Sequence, residues 1–297
     1  MEKLLRPIRL WSMVAAAALA GCGGSGDPNT VWSITLPPGS VSTGFVNDPA
    51  PPGGSINLIQ QTVSPGTYVI PATSTVSGML LVHPDGHTLA TAHVPSPPNT
   101  LDGSATILFA GLLPLGDVRP TGTVTFVYAT PKVPSQVGTA TASLSPTTLD
   151  SVPAGPAVTA TLTNATAFNL FDPQTYAKVE VPPALHLLPM AKLAGHYIDA
   201  ASGQDLQITA EGAVSGSYAA NCAITAMIAA YDPQTTLFRM SATLDGTGCA
   251  YWLPGTREYL GNLGASDSGH VMLNAYAISG ALLATLVFTH PQQLGTY

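Results

Sequence analysis

The chain has 297 residues, with 9 Lys+Arg against 16 Asp+Glu and a formal net charge of −7. So few cations, scattered along the chain, cannot form the phosphate-tracking stripe of a nucleic-acid binder, and nucleic acid is excluded as a partner. Charged residues make up only 8%, against roughly a quarter in ordinary globular domains. The remainder, rich in Thr, Ser, Gly, Pro, Val and Ala, reads as many short strands separated by turns, at a length that suits two domains.

Residues 1–21 read as a leader. Lys3, Arg6 and Arg9 face the single acid Glu2, and an apolar run follows over 10–20. That run has the length of a signal-peptide core and is too short to span a bilayer. Leu19-Ala20-Gly21-Cys22 closes it and resembles the bacterial lipobox. The resemblance implies cleavage before Cys22 and acylation of that cysteine with palmitate-like chains. Gly23, where inner-membrane retention would ask for aspartate, implies an outer-membrane anchor. Several acyl chains at one terminus hold it stably where a single one binds reversibly. The membrane is therefore an expected partner, engaged through the lipid on Cys22.

Prolines and glycines crowd residues 22–55 and suit neither ladder nor helix, so this stretch reads as a flexible tether. Within it, Trp32-Ser-Ile-Thr-Leu36 reads as an extended segment, with a docking strand as the alternative. A first all-β lobe is expected over 56–182, with strands at 67–70, 76–82, 88–94, 104–113, 123–130, 137–144, 157–163 and 175–181. Pro84-Asp85-Gly86 marks a hairpin between the second and third of these.

Pro182 and Pro183 break the ladder, and 183–194 reads as a joint between lobes. It holds the only helical spacing in the chain, Leu185, Leu188 and Leu193, interrupted by Pro189. A second all-β lobe follows over 195–297. Its strands are expected at 205–209, 214–218, 222–231, 237–244, 258–263, 270–278 and 281–290, making about eight in all. The pattern suits an antiparallel barrel or sandwich in each lobe. Phe171-Asp-Pro-Gln-Thr175 is echoed by Tyr231-Asp-Pro-Gln-Thr235. Asp then Pro is good type I turn chemistry, so the echo reads as duplication or as convergent turns.

Several second-lobe signatures fall in one order: Leu193-Ala-Gly-His-Tyr197, Ser202-Gly203, Leu206-Gln-Ile-Thr209, Gly212-Ala-Val-Ser-Gly-Ser217, Cys222, Leu237-Phe238 and Cys249. Together they resemble a group of proteobacterial lipoproteins with a C-terminal β-domain of this pattern. More distantly, the glycine-rich strand order is similar to the eight-stranded barrels of transferrin-binding and factor-H-binding surface lipoproteins. The resemblance implies an all-β envelope lipoprotein and transfers no functional residue.

With Cys22 assigned to lipid, Cys222 and Cys249 remain, and an oxidising periplasm would join them in a disulfide. Hairpin register places Cys222 opposite a residue near 246, so Asp245-Gly-Thr-Gly248 must absorb about three residues as a bulge or bend. His83, His87 and His93 share one hairpin. His93 lies too far along its strand to join the other two on one ion, so no metal site is expected and these histidines read as exposed. His196, His270 and His290 come with no Gly-x-Ser-x-Gly elbow. No glycine-rich loop leads into a phosphate cradle, and no catalytic residue or cofactor is assigned. Tyr218, Tyr251, Trp252 and Tyr259 bunch in the second lobe and form the candidate binding patch, with core packing as the alternative.

The expected function is that of a lipid-anchored, non-enzymatic envelope lipoprotein binding a protein or a small ligand. The alternatives are a structural lipoprotein of the outer membrane and a hydrolase with its site at the interlobe cleft.

Overall fold

The computed structural model describes residues 30–35, 55–60, 62–72, 74–95, 104–129, 135–149, 155–163, 173–199, 202–252, 254–266, 268–279 and 282–293. Among these the fold is all-β, with two eight-stranded antiparallel lobes and a separate two-stranded sheet. The described residues contain no helix long and apolar enough to cross a membrane.

The separate sheet pairs β1 (Thr30–Thr35) with β2 (Ser55–Gln60), setting Trp32 opposite Leu58 and Ile34 opposite Ile56. Within the stretch read as a tether, residues 30–35 are thus a paired strand. A β-branched and aromatic run, Thr-Val-Trp-Ser-Ile-Thr, finds a partner of the same kind in Ser-Ile-Asn-Leu-Ile-Gln.

The first lobe is a closed barrel. Its strands are β3 (Gly66–Val69), β4 (Ser77–Val82), β5 (His87–Val94), β6 (Ala105–Leu112), β7 (Thr121–Ala129), β8 (Gln136–Leu149), β9 (Gly155–Thr163) and β10 (Gln174–Lys178). Each pairs with its chain neighbour, and β10 then pairs with β3 through Ala177↔Val69 and Lys178↔Tyr68. The alternative of a sandwich is thereby settled. An eight-stranded barrel leaves an interior just wide enough for its own side chains. Here that space holds Tyr68, Tyr176, Phe109, Leu80 and Leu144, all essentially buried.

The second lobe repeats the meander with β11 (Gly195–Asp199), β12 (Gln204–Ile208), β13 (Ala213–Ala219), β14 (Cys222–Asp232), β15 (Leu237–Asp245), β16 (Gly255–Ala265), β17 (His270–Ser279) and β18 (Leu282–Gln293). β11 is the strand that the sequence reading did not place. The sheet curls until β11 lies beside β18, yet no ladder joins the two. Tyr197, Phe238, Tyr259 and Phe288 fill the inside.

The joint is part of the second lobe. Its turns run from 183 to 187 and end in a 3₁₀ turn, Met190–Lys192. Leu185, Leu188 and Leu193 are buried in the second barrel's core. Tyr231 donates its hydroxyl proton to the Leu188 carbonyl at 2.7 Å, and the Leu187 amide donates to the Pro233 carbonyl at 2.9 Å. The helical spacing seen in the sequence thus serves a plug over one end of the barrel.

Cys222 and Cys249 form a disulfide with Cα atoms 4.8 Å apart. The hairpin register runs to Ala223↔Asp245, which places Cys222 opposite position 246 as the spacing required. The excess is absorbed by Gly246, at φ +115°, and by a 3₁₀ turn, Thr247–Trp252, that folds Cys249 back over the strand end. A Cβ on Gly248 would collide with the Ala220 carbonyl, so only glycine fits that crossing.

Candidate functional site

Two places gather polar side chains: the junction between the barrels and the open seam of the second. At the junction the outer faces of β4 and β5 meet those of β15 and β16. Strands of a lone barrel alternate buried and exposed residues, but here both faces are covered. Leu80 and Val82 point into the first barrel, while Leu81, also fully buried, packs outward against the second. Leu89, Leu237 and Leu260 complete this outer cluster, with Met79, Ala110, Tyr276 and Leu283 around it. Each such leucine contributes roughly 2 kcal/mol by leaving water.

A polar clamp sits at one edge of this apolar face. The Pro84-Asp85-Gly86 turn carries His83 into the second barrel, where its Nε2 donates to the Ala230 carbonyl at 2.6 Å. Ala230 presents that carbonyl from a bulge in β14 at φ +48°. The other ring nitrogen lies 2.7 Å from Asp85 Oδ1, and the same oxygen receives the His87 amide at 3.1 Å and His87 Nδ1 at 2.9 Å. Asp85 Oδ2 pairs with Arg239 Nε of β15 at 3.0 Å. Arg239 Nη1 then donates to His87 Nε2 at 3.3 Å, so the neutral Nδ1–H form of His87 satisfies both contacts. Burial pushes the Asp85 carboxyl up, but the His87 amide and ring and the His83 ring outweigh it. They bring it from an ordinary 3.8 down to about 2. A groove of about 270 Å³ runs beside the clamp, with Glu258, Thr125 and Tyr276 on its walls.

His83 was expected to be exposed and is instead 3% exposed. The reason is a contact with a residue far along the chain, which hairpin spacing cannot reveal. The sequence did carry a signal for the junction: Met79-Leu-Leu-Val82 is an unbroken apolar run where a one-faced strand would alternate. His93 lies apart from the clamp, with Nδ1 3.2 Å from Thr106 Oγ1. Among the described residues no three His, Cys, Asp or Glu side chains are placed to share a metal ion.

The seam lies between β11 and β18. The amide of Val287 on β18 donates to the Tyr218 hydroxyl at 3.2 Å, and its carbonyl accepts from Gln204 Nε2 at 3.2 Å. Both side chains come from inside the barrel, so side-chain bonds replace a ladder at this point. Tyr197 meets His290 edge to face at 5.0 Å, and Tyr218 meets Phe288 likewise at 5.8 Å. These aromatic contacts span the gap. A recess of about 640 Å³ opens along it.

Of the aromatic patch, the structure brings Tyr218 and Tyr259 together inside the barrel and not on its rim, at 7% and 2% exposure. Burial raises both phenols above the ordinary tyrosine value. The Val287 amide partly offsets this for Tyr218, and Arg257 does so for Tyr259. The alternating strand positions of these two tyrosines face the core, and Tyr218 also borders the seam recess. The side chains of Tyr251 and Trp252 lie outside the described residues, as does Cys22. No family model matches the chain, and neither does any curated protein or solved structure.

Proposed function

We propose that the protein is a lipid-anchored, non-enzymatic lipoprotein of the cell envelope, whose two docked barrels form a rigid binding module. The observation that carries this reading is the Cys222–Cys249 bridge. Stable disulfides belong to oxidising compartments, which agrees with a leader ending in Leu19-Ala20-Gly21-Cys22. An outer-membrane anchor follows from the lipobox resemblance and from Gly23 after the cysteine.

Binding is favoured over hydrolysis by how the junction's ionisable groups are engaged. Asp85 accepts from the His87 ring and amide, lies against the His83 ring and pairs with a guanidinium, and His83 is buried between a carboxylate and a carbonyl. A general acid or base needs a proton or lone pair open to substrate. These groups instead lock one barrel to the other, and the barrel interiors are filled by their own aromatic and leucine side chains. That leaves recognition to surface recesses.

Palmitate labelling with outer-membrane fractionation tests the address. The wild-type protein should carry label and sediment with the outer membrane, and Cys22→Ser should do neither. Label retained by the variant, or a wild-type protein found in the cytoplasm, would overturn the reading.

A further inference from the structure

The seam of the second barrel is the larger of the two recesses, and its size falls in the range of small-molecule sites. Its floor is built from buried polar side chains. Gln204, 8% exposed, lines the recess and gives its amide nitrogen to the Val287 carbonyl. Tyr218 receives the Val287 amide beside it. On the rim, Ser202 donates to Asp199 Oδ2 at 2.8 Å. His270 donates from Nδ1 to the His290 carbonyl at 2.8 Å, so that in the neutral ring Nε2 is the acceptor. The wall also carries Ile198, 62% exposed.

Among the described residues no Lys or Arg lines the recess, so phosphate and carboxylate ligands find no permanent counter-charge among them. Acceptor oxygens and nitrogens interleaved with hydroxyls call for a ligand that brings many O–H donors. An exposed isoleucine suits the C–H face of a ring. A polyamine would need more carboxylates than Asp199, the one among the described lining residues. We propose that the β11/β18 seam binds a neutral saccharide of one or two rings, with Gln204 on the floor and His270, Asp199 and Ser202 on the rim. This rests on the reading of the protein as a binding module and names the ligand class of that module.

The test is titration of the full lipoprotein, held in a detergent without sugar headgroups, with neutral mono- and disaccharides built on glucose, galactose and N-acetylglucosamine. Binding is followed by saturation-transfer NMR and calorimetry. At least one sugar should bind saturably. His270→Ala should weaken it by about tenfold, the order of one lost hydrogen bond, with only a small fall in melting temperature from the lost bond to the His290 carbonyl. Ser202→Ala, a rim change that leaves the core untouched, should weaken it less. Absence of binding across the series, or wild-type affinity in both variants, would overturn the proposal. So would spermidine binding in place of sugar that is lost in Asp199→Asn. Failure here with palmitate label and fractionation intact would remove the saccharide and leave the envelope reading standing. Loss of the label with sugar binding retained would do the reverse.

Discussion

The first barrel closes through its backbone, with β10 returning to pair with β3. Lys178 adds a bond from its ammonium to Ser64 Oγ at 2.8 Å across the same edge. The second barrel has the same number of strands and the same meander, but its last strand never pairs with its first. It is held instead by a disulfide at one hairpin end, a leucine plug at the joint, and two side chains that cap the Val287 peptide. A ladder closes a sheet with every backbone group satisfied and no gap. Side-chain closure satisfies the same groups and leaves a recess between the strands.

This contrast can be broken at each of its supports. The largest effect is expected from Cys222→Ala/Cys249→Ala. The chain-entropy model gives a loss of roughly 3.5 kcal/mol for a loop of this size. Hydrogen exchange read by mass spectrometry should show the loss in β13 to β15, with the first barrel unchanged. Equal deprotection of both barrels would mean that they unfold as one unit.

Leu185→Ala should follow, at roughly 3 kcal/mol for a fully buried leucine that leaves a cavity. The same plug predicts that a fragment starting at residue 183 resists protease and that one starting at residue 190 does not. Resistance of the shorter fragment would show the joint to be a mere spacer.

Tyr218→Phe removes the acceptor of the Val287 amide. It should cost about 1–2 kcal/mol, the price of an unsatisfied buried group, and speed exchange at Val287 alone among the β18 amides. An unchanged Val287 rate would mean that the hydroxyl does not close the seam.

The smallest effect is expected from Asp85→Asn, below about 1 kcal/mol at neutral pH because the pair is partly exposed. Its signature is in the pH dependence. The folded carboxyl titrates near 2 against an ordinary 3.8. Its contribution is therefore fully present above 3.8 and lost as pH falls toward 2. Acid melts of wild type and variant should converge across that window. Parallel curves would remove Asp85 from the clamp.

Most of the strand order was legible because each strand announces itself locally, through β-branched alternation bounded by Gly, Pro and Asp. The disulfide register was legible for the same reason, being a property of one hairpin. β11 escaped because Gly-His-Tyr-Ile-Asp is short and follows directly on the joint. Leu185 and Leu188 were visible as an apolar face, but not the barrel end that face would cover. His83 read as exposed because its partner, the Ala230 carbonyl, lies in the other lobe. The tyrosines were visible as a cluster in sequence, whereas their inward direction depends on strand register. Local pattern gives elements; the two sites arise where elements distant in sequence meet.

The closing ladder of the first barrel has a kinetic consequence. In the second barrel every ladder joins consecutive strands, so the sheet can grow hairpin by hairpin from Gly195 onward. The first barrel must bring together the first and last strands of its lobe, and loop-closure entropy slows such a contact. Even a closed first barrel leaves Leu81 and Leu89 bare until β15 and β16 exist to cover them. A chain emerging from its N-terminus therefore passes through a stage with an apolar strip facing solvent. Refolding yield should fall with protein concentration at that stage, as strips of separate molecules compete for each other, and adding Leu81→Thr should relieve the loss while weakening the docked pair.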